Sequence, residues 1–300
     1  MPGLYPACCR GSFCSCCFSE RRHHRGGCEV SRQSLSGKTV VVTGAGAGIG
    51  LGIAQACVEA GAIVVGATLL AEQREAIERV GARFMQVDVA SLASIAAMAD
   101  AVARDYGSPD GLVNNAGVTI QTPFLDMPLG ELDQLWQVNQ RSVFLVSQHI
   151  ARLMIKAGRG GSIVNIASNH ARATLAGYEM YAATKGAIVS MTKAMAWSLG
   201  THQIRVNALC PGLTRTEAIA GISAKDAAAE RYFNAGHATG TFNTVPQIAA
   251  TAVFLLSDQS EAFSGAELVA DQGMSARLGF GLDPEPKAGR AKRGIRSWLR

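Results

Sequence analysis

Short β-branched runs alternate with longer segments of helical periodicity along most of the chain. The first run, residues 39–43, has three consecutive valines, and a Gly-rich turn and an apolar helical segment follow it. Strands of a parallel sheet are buried on both faces, so they form continuous apolar runs in the sequence. The pattern therefore predicts an α/β fold, a doubly wound parallel sheet of the Rossmann type with helices on both faces.

The apolar runs and the periodic segments predict seven strands and six helices. The strands are expected at 39–43, 62–68, 83–87, 111–114, 162–167, 204–209 and 267–270. The helices are expected at 49–60, 71–80, 92–106, 129–157, 178–199 and 246–256. Because there is no solenoid-type repeat and no convincing linker, we predict one catalytic domain over residues 35–278.

The segment 212–242 differs from the rest of this domain. It is long and polar, it contains Gly221, Gly236 and Gly240, and it lies between a predicted strand and a predicted helix. Long insertions at the carboxyl ends of strands usually cover a ligand site. We interpret the segment as a lid, with a surface loop that has no role in binding as the alternative.

The net charge of +5 comes from the ends of the chain. Residues 1–34 carry a balance of +3 and residues 279–300 a balance of +4, which leaves about −2 for residues 35–278. This charge argues against nucleic acid as a partner of the predicted domain. No apolar run is long enough to span a bilayer, so no membrane span is expected.

Six of the eight cysteines lie in the first 28 residues. Zinc binding, palmitoylation and a transit peptide are all conceivable there, but none fits the spacing or the patterning well. We expect residues 1–34 to form a disordered Cys/Arg-rich extension, with a translation start at Val30 as one explanation of it. Residues 279–300 lack periodicity and are expected to form a basic, flexible tail.

Tyr181 and Lys185 stand four residues apart in a predicted helix, so their side chains lie on one face. A lysine ammonium near a phenol favours the phenolate, which makes tyrosine a more effective acid-base catalyst. This spacing alone also occurs by chance on solvent-exposed helix faces. Its meaning therefore depends on the residues that precede it.

Two kinds of ligand-binding signal precede this pair. Gly44, Gly48 and Gly50 lie between the first strand and the first helix, where bare backbone and a helix N-terminus can bind a diphosphate. Asp88-Val89 and residues 114–117 (Asn-Asn-Ala-Gly) follow the third and fourth strands, at the edge where open α/β sheets bind ligands.

Together these motifs resemble the short-chain dehydrogenase/reductase family, in its short single-domain branch, from about residue 35 to 278. The resemblance rests on Thr-Gly-x-x-x-Gly-Ile-Gly at 43–50, Asn-Asn-Ala-Gly at 114–117, Asn139, Ser168, Tyr181, Lys185 and Pro211-Gly212. Ser168 precedes Tyr181 by thirteen positions, a spacing usual in that family.

The resemblance implies a catalytic tetrad. Tyr181 would be the general acid-base, and Lys185 would lower its pKa and bind the nicotinamide ribose. Ser168 would hydrogen-bond the substrate oxygen, and Asn139 would hold a water that connects Lys185 to solvent. The residues expected to bind the cofactor are Gly44, Gly48, Ile49, Gly50, Thr68, Asp88, Val89, Asn115, Ala116, Gly117, Tyr181, Lys185, Pro211, Gly212 and Thr214; no metal is expected.

The residues that select the cofactor depart from the family's patterns. Thr68 stands where an acidic residue would bind the ribose of NAD or a basic one the 2′-phosphate of NADP. Ala47 replaces the Arg or Lys that many NADP users carry before Gly48. An unpaired 2′-phosphate costs more than a diol lacking one acceptor, so NAD(H) is favoured over NADP(H). Arg74 would reverse this preference if its helix turned it inward.

The resemblance implies an NAD(P)-dependent oxidoreductase that interconverts a secondary alcohol and a ketone. Polar residues near the predicted pocket favour a sugar, a polyol or a hydroxy acid, although surface hydrogen bonding explains them nearly as well: Asn169, His170, Arg172, Glu179 and His237. The alternatives are a 3-oxoacyl-(acyl-carrier-protein) reductase and a non-catalytic cofactor-sensing protein. We further expect a cytoplasmic protein and, by resemblance, a homotetramer or homodimer built on the helices at 129–157 and 178–199.

Overall fold

The predicted strands form one parallel sheet in the computed structural model, which describes residues 34–277. They are β1 Thr39–Thr43, β2 Ile63–Thr68, β3 Arg83–Gln86, β4 Gly111–Asn114, β5 Gly161–Ile166, β6 Ile204–Pro211 and β9 Glu267–Ala270. Two further short strands, β7 Thr214–Arg215 and β8 Asn243–Thr244, pair with each other. The order of the main sheet is β3-β2-β1-β4-β5-β6-β9, and every pair in it is parallel. The predicted fold class is confirmed.

Helices cover both faces of this sheet. They are α1 Gly48–Glu59, α2 Arg74–Arg79, α3 Leu92–Tyr106, α4 Leu129–Leu135, α5 Ser142–Ala157, α6 Glu179–Gly200, α7 Glu217–Lys225, α8 Ala227–Ala235 and α9 Val245–Leu256. Helix α1 packs against α9, and α3 packs against α5. Each pair covers one hydrophobic cluster of the sheet.

The side chains of β1 show why the strands are continuous apolar runs. Val40 and Val42 point to one face and pack with Ile53 of α1, whereas Val41 points to the other and packs with Ile95 of α3. All five side chains are essentially inaccessible to solvent. Full burial of such a side chain contributes about 1.5–3 kcal/mol, so each face adds to the stability of the same strand.

The strand order places a crevice beside the centre of the sheet. The chain runs from β1 outward through β2 and β3, and then crosses to β4 on the other side of β1. Open α/β sheets bind ligands at such a switch point, outside the carboxyl ends of the strands. The Gly-rich turn follows β1 and residues 115–117 follow β4, so both motifs border this crevice.

Two predicted segments differ from the structure. The helix expected at 129–157 is interrupted by a π-helical turn, Trp136–Arg141, between α4 and α5. The segment 212–242, interpreted as a lid, contains α7 and α8, and no helix was predicted there. Neither difference leaves a pattern in the sequence, because a π-turn keeps the periodicity on both sides and the two helices are short, with no buried residue.

The two predicted terminal segments lie outside the described residues, apart from Ser34. Their boundaries with the catalytic domain therefore stay predictions. Within residues 34–277, no helix combines the length and the apolar character that a membrane span requires.

Candidate active site

A cavity of about 200 Å³ opens at the carboxyl ends of β4, β5 and β6. It is lined by Ile49, Asn115, Gly117, Val118, Thr119, Ile166, Ala167, Ser168, Tyr181, Lys185, Pro211 and Gly212. Eight of these twelve residues were predicted from the sequence. Val118, Thr119, Ile166 and Ala167 were not, although each lies next to a predicted motif and that proximity was the available signal.

The turn after β1 has no room for side chains. Gly44 has a φ of +64°, and a Cβ there would lie 2.8 Å from the Cα of Ala116. A Cβ on Gly50 would clash with the Gly44 carbonyl, and Gly48 has a φ of +54°, a region that favours glycine. The turn therefore presents bare backbone at the start of α1.

The N-terminus of α1 fits a diphosphate. Its N-cap residue, Ala47, has no side-chain oxygen to accept a hydrogen bond, and the helix is 12 residues long. The first N–H groups of a helix have no partner within it, and together with the helix dipole they favour an anion. The Gly-rich turn and this helix end are thus suited to a nicotinamide dinucleotide.

Asn115 fixes this turn against the neighbouring strand. Its Nδ2 donates hydrogen bonds to the carbonyl oxygens of Thr43, at 3.1 Å, and Gly44, at 3.0 Å. The hydroxyl oxygen of Thr43 accepts in return from the backbone N–H groups of Asn115 and Ala116, both at 3.1 Å. Asn115 and Ala116 therefore hold the Gly-rich turn in place against β4.

Asn139 lies in the π-helical turn and is completely buried. Its Oδ1 accepts from the backbone N–H of Val118, and its Nδ2 donates to the carbonyl of Val118, both at 2.8 Å. A Cβ on Gly117 would lie 3.2 Å from Asn139 Oδ1 and 3.7 Å from Lys185 Nζ, so these groups meet around Gly117. π-Turns occur frequently at functional sites. The predicted water on Asn139 stays a prediction.

Lys185 reaches the cavity from α6 and is almost fully buried. Its Nζ donates a hydrogen bond to the carbonyl of Ile166 at 3.0 Å and lies 5.7 Å from the ring centroid of Tyr181. Burial disfavours the ammonium and lowers the pKa of Lys185 to about 8. The side chain thus titrates close to neutral pH.

Tyr181 presents its phenol to the same cavity. Burial raises the pKa of Tyr181 above its ordinary value, and hydrogen bonds with the Ser168 and Thr119 side chains act in the opposite direction. The lowering by Lys185 that the resemblance implies is not among these causes, so the phenol is protonated at neutral pH. Thr119 is a contact that the sequence analysis missed.

Ser168 follows β5 and begins a short 3₁₀ turn, Asn169–Ala171. Its hydroxyl oxygen accepts a hydrogen bond from the backbone N–H of His170 at 3.2 Å. This bond fixes the side-chain rotamer and leaves the hydroxyl beside Tyr181. The structure therefore brings Ser168, Tyr181 and Lys185 together around one cavity, with Asn139 behind it.

Comparisons with known proteins agree with this geometry. A family model described as Enoyl-(Acyl carrier protein) reductase matches residues 44–275. D-threitol dehydrogenase of Mycolicibacterium smegmatis is 38% identical over 249 residues, which cover 81% of this chain and 95% of that protein. The crystal structure of a short-chain type dehydrogenase/reductase from Mycobacterium marinum superimposes with a TM-score of 0.76 at 31% identity, covering 82% of this chain and 99% of that one.

The chain belongs to the short-chain dehydrogenase/reductase family. It is an NAD(P)-dependent oxidoreductase that interconverts an alcohol and a ketone. Another relative of known structure is a gluconate 5-dehydrogenase from Burkholderia cenocepacia in complex with NADP and tartrate. Its TM-score is 0.77 at 32% identity, and the match covers 83% of this chain and 99% of that one.

In this member of the family, three of the polar residues proposed for the substrate are engaged elsewhere. Arg172 pairs with Glu267 at 2.6 Å. Glu179 accepts a hydrogen bond from the backbone N–H of Gly177 at 3.1 Å, at the start of α6. His237 is buried in the lid, with Nδ1 2.7 Å from the carbonyl of Phe233. None of them lines the cavity, because local partners orient each side chain away from it.

The other two polar residues lie close to Ser168. Asn169 is buried and hydrogen-bonds Asp271, whose Cβ lies against Gly212. His170 has its ring centroid 5.4 Å from that of Tyr181, in an edge-on arrangement. None of the five substrate candidates is among the residues that line the cavity, but His170 is the one with a ring against a catalytic side chain.

The adenosine end of the site contains a residue that the sequence analysis missed. Gln73 lies over the Gly-rich turn, since a Cβ on Gly46 would clash with its carboxamide. Its Oε1 accepts a hydrogen bond from the Thr68 hydroxyl at 2.6 Å. Arg74 stacks over the ring of Phe84 at 4.1 Å and pairs with Glu78, at 3.2 Å, so it is not turned toward Thr68.

Other predicted cofactor residues have structural partners of their own. The Asp88 carboxylate accepts from the backbone N–H of Ala90 at 2.8 Å, and Val89 packs against the cluster under α3 and α5. Thr214 is buried and donates to the carbonyl of Gly212 at 2.9 Å. The cofactor contacts assigned to Asp88, Val89 and Thr214 stay predictions.

Proposed function

We propose that this protein interconverts a secondary alcohol of a small polyol or sugar with the corresponding ketone. The observation that carries the proposal is the cavity in which the phenol of Tyr181 meets the hydroxyls of Ser168 and Thr119, next to the buried Lys185. The names of the relatives support the substrate class, since D-threitol is a polyol and gluconate a sugar acid.

In this proposal each of the four tetrad residues has its own part in the proton transfer. When bound, a nicotinamide dinucleotide supplies the carbon that gives or accepts a hydride. Ser168 holds the substrate oxygen beside Tyr181. In reduction the carbonyl carbon gains the hydride with both electrons, and Tyr181 gives its proton to the oxygen. Burial keeps Tyr181 protonated at neutral pH and therefore ready to donate.

Oxidation is the same step in reverse. The alcohol gives its proton to a Tyr181 phenolate and its hydride to the cofactor, which leaves a ketone. The phenolate must then be stabilised, and the ammonium of Lys185, 5.7 Å from the ring, has the appropriate charge. Asn139 holds the backbone of Val118, and both this asparagine and Lys185 lie beside Gly117.

NAD(H) is the proposed cofactor rather than NADP(H). The site for the adenosine ribose is bordered by the neutral pair Thr68 and Gln73, and Arg74 is engaged with Phe84 and Glu78. A 2′-phosphate would have no cationic partner there, which costs more than an unfilled hydroxyl contact. The NADP complex of the gluconate 5-dehydrogenase shows that a relative binds the other cofactor.

Two other functions are weaker. Reduction of a 3-oxoacyl group on a carrier protein needs the same tetrad, and the description of the family model names an acyl carrier protein. The polar groups around Tyr181, which are Ser168, Thr119 and His170, favour a hydroxylated substrate over an acyl chain. A cofactor-sensing protein without turnover would not need four complete tetrad positions.

We also propose a homo-oligomer, a tetramer or a dimer, built on α4, α5 and α6. Several large apolar side chains on these helices and just before them are exposed: Phe124, Leu125 (91%), Leu129 (77%), Trp136, Phe144 and Trp197 (88%). Exposed apolar surface that is large and continuous commonly marks a protein interface, and exposed side chains on neighbouring helices can supply it. Light scattering of Leu129→Glu beside the wild type tests this proposal, which a monomeric wild type would exclude.

The boundaries of the domain and a cytoplasmic location are proposed as well. Leu35 is fully buried and donates its backbone N–H to Ala60 at 2.9 Å, which supports a domain that begins at residue 35. The two cysteines of the described part, Cys57 and Cys210, are both free, as is usual in a reducing compartment. Cell fractionation of the natively expressed protein tests the location.

A substrate panel with NAD and NADP side by side tests the proposed function. Polyols, sugars, hydroxy acids and hydrophobic ketones are assayed through the absorbance of the reduced nicotinamide. We expect turnover of polyols or sugars, faster with NAD. Turnover of hydrophobic ketones alone would exclude the substrate class, and faster turnover with NADP would exclude the cofactor preference.

Gln73→Arg tests the cofactor site by binding, measured through the fluorescence of NADPH and NADH. We expect the ratio of the two dissociation constants to shift about tenfold toward NADPH, because the guanidinium can pair with a 2′-phosphate. Gln55→Arg, which adds the same charge on the exposed face of α1, is the matched control. An equal shift in both variants would contradict a specific role of position 73.

A further inference from the structure

His170 is a polar side chain beside Tyr181 that has no part in the proton transfer. Its ring centroid lies 5.4 Å from that of Tyr181 and 4.9 Å from that of Tyr178. Its backbone N–H donates to Ser168 at 3.2 Å. The same residue thus contacts both side chains that hold the reacting oxygen, one through its backbone and the other through its ring.

The two ring nitrogens of His170 differ in their surroundings. Nδ1 lies 2.9 Å from the hydroxyl of Thr174, which fixes the orientation of the ring. Within the described chain, no hydrogen bond is formed by Nε2, and the side chain is only partly buried. Burial lowers the pKa of His170, so the imidazole is neutral at neutral pH. A neutral ring nitrogen can hydrogen-bond a hydroxyl but offers no charge to a carboxylate.

The charges on the His170 side of the cavity favour a neutral substrate group. Arg172 pairs with Glu267, and Lys185, the cation that lines the cavity, donates to the carbonyl of Ile166 next to Tyr181. Asn169 hydrogen-bonds the carboxylate of Asp271, whose Cβ lies against Gly212, so this side carries a negative charge. A carboxylate next to the reacting carbon would lie between the neutral His170 and this negative group, whereas a hydroxyl could hydrogen-bond His170.

From these contacts we propose that Nε2 of His170 binds a second hydroxyl of the substrate, on the carbon next to the reacting carbinol. The substrate class is then a neutral vicinal diol, and a 2-hydroxy acid is disfavoured. This inference rests on the proposed alcohol–ketone activity and narrows it to one kind of substrate.

Three substrates that differ at a single carbon test the inference. Butane-1,2-diol, butan-2-ol and 2-hydroxybutanoate carry CH₂OH, CH₃ and a carboxylate next to the same secondary alcohol. We expect kcat/KM for the diol to exceed that for butan-2-ol about tenfold or more, since Nε2 of His170 finds a hydroxyl partner only in the diol. The hydroxy acid is expected to be the slowest of the three.

Four variants separate the contributions of the two His170 nitrogens from that of the aromatic contact. His170→Gln keeps an amide near the position of Nε2, His170→Asn keeps one near Nδ1, and His170→Phe keeps the aromatic contact alone. Thr174→Val removes the partner of Nδ1. We expect the preference for the diol over butan-2-ol to fall to near one in the Asn and Phe variants. It should persist largely in His170→Gln and Thr174→Val.

The measurement distinguishes this inference from the proposed function. Equal loss of both activities in His170→Phe, at an unchanged preference, would show that the ring only supports Tyr181 and would overturn the inference. Wild-type turnover of butan-2-ol at the rate of the diol would overturn it while the proposed function stands. A wild type that oxidises no secondary alcohol, although it binds NADH by fluorescence, would overturn both. Melting temperatures establish that each variant is folded.

Discussion

The floor of the cavity, which is formed by Asn139, Lys185 and their partners, differs from the segment 212–242, interpreted as a lid, in how its polar groups are held. On the floor, Asn139 and Lys185 are buried and hydrogen-bonded to backbone carbonyls or N–H groups. In the lid, α7 and α8 contain no buried residue. Oδ1 of Asn234 and Nε2 of His237 are among the buried polar atoms of the lid that have no hydrogen-bond partner in the described chain.

This difference assigns different tasks to the two regions. Groups that transfer protons must be held to within a fraction of an ångström, and the contacts on the floor restrict each of them from more than one side. A segment with few buried contacts opens at low free-energy cost, which suits the entry of a substrate. Rate should therefore depend on the floor, and the lid should contribute little to stability.

Tyr181→Phe should have the largest effect. Loss of the phenol removes the general acid-base, and we expect kcat to fall about 10³-fold or more while NADH still binds. Tyr178→Phe is the control, because it removes the hydroxyl of the adjacent ring of the same aromatic cluster. Steady-state kinetics and fluorescence titration measure the two effects. Comparable losses in both variants would mean that position 181 is not distinguished from its neighbour.

Asn139→Leu should combine a loss of stability with a loss of rate. It leaves the N–H and the carbonyl of Val118 without partners, which costs about 2–4 kcal/mol of unfolding free energy. Displacement of Val118, which lines the cavity, should lower kcat about 10²-fold. Asn165→Leu is the matched control, since Asn165 is equally buried and has two side-chain partners, Asn114 and Thr192, away from the cavity.

Urea unfolding and kinetics of both asparagine variants separate the two effects. We expect similar losses of stability, with loss of rate confined to Asn139→Leu. If Asn165→Leu slowed the reaction equally, the π-turn would have only a structural role.

Lys185 should make the free energy of unfolding depend on pH. Its pKa is about 8 in the folded protein, and an unperturbed lysine has a pKa of about 10.4, so between these pH values this side chain binds more protons in the unfolded chain. Lys185 should therefore contribute a rise of the free energy of unfolding with pH in this window, by at most about 1.4 kcal/mol per pH unit. Lys185→Met should remove this contribution.

Urea unfolding from pH 7.5 to 9.5 measures that slope. Lys193→Met, on an exposed position of the same helix, should keep it. Burial also raises the pKa values of Cys57, Cys210 and Tyr181, which act in the opposite direction, so the contribution of Lys185 is the difference in slope between the wild type and Lys185→Met. A slope that is identical in the wild type and Lys185→Met would contradict the burial of an ionisable ammonium on the floor.

His237→Phe should have the smallest effect, because it replaces one buried aromatic ring of the lid by another beside Phe242. The substitution loses the contact of Nδ1 with Phe233 and removes an unpaired buried nitrogen, and the two changes largely offset each other. We expect the free energy of unfolding to change by less than about 1 kcal/mol in urea titrations. A loss as large as that of Asn139→Leu would mean that the lid is as tightly held as the floor.

The contrast between the cavity floor and the lid also explains which features can be predicted from the sequence. The strands follow from runs such as Val40–Val42, where burial on both faces leaves a direct pattern. Gly44, Ser168, Tyr181 and Lys185 are predictable because their chemistry needs particular residue types at particular positions. The cavity brings the last three together as expected.

Other features depend on contacts that are distant in sequence. Gln73 carries no motif and gains its place from the Thr68 hydroxyl and the absence of a side chain at Gly46. Arg172 follows closely after Ser168, but Glu267, on a strand formed 95 residues later, orients it away from the site. Such partners cannot be identified from local patterns. The structure was therefore needed to separate polar residues that lie at the site from those that contact other parts of the chain.

The π-helical turn at 136–141 has a consequence for how this protein can change during evolution. Such a turn accommodates one residue more than a regular helical turn, and its wider path absorbs that residue. Deletion of one codon in this stretch would leave a longer, uninterrupted helix in which α4 and α5 keep their orientations. The wide turn that brings Asn139 to Val118 would be lost. A single-residue deletion there would therefore preserve the packing of both helices and remove the hydrogen bonds of the buried asparagine.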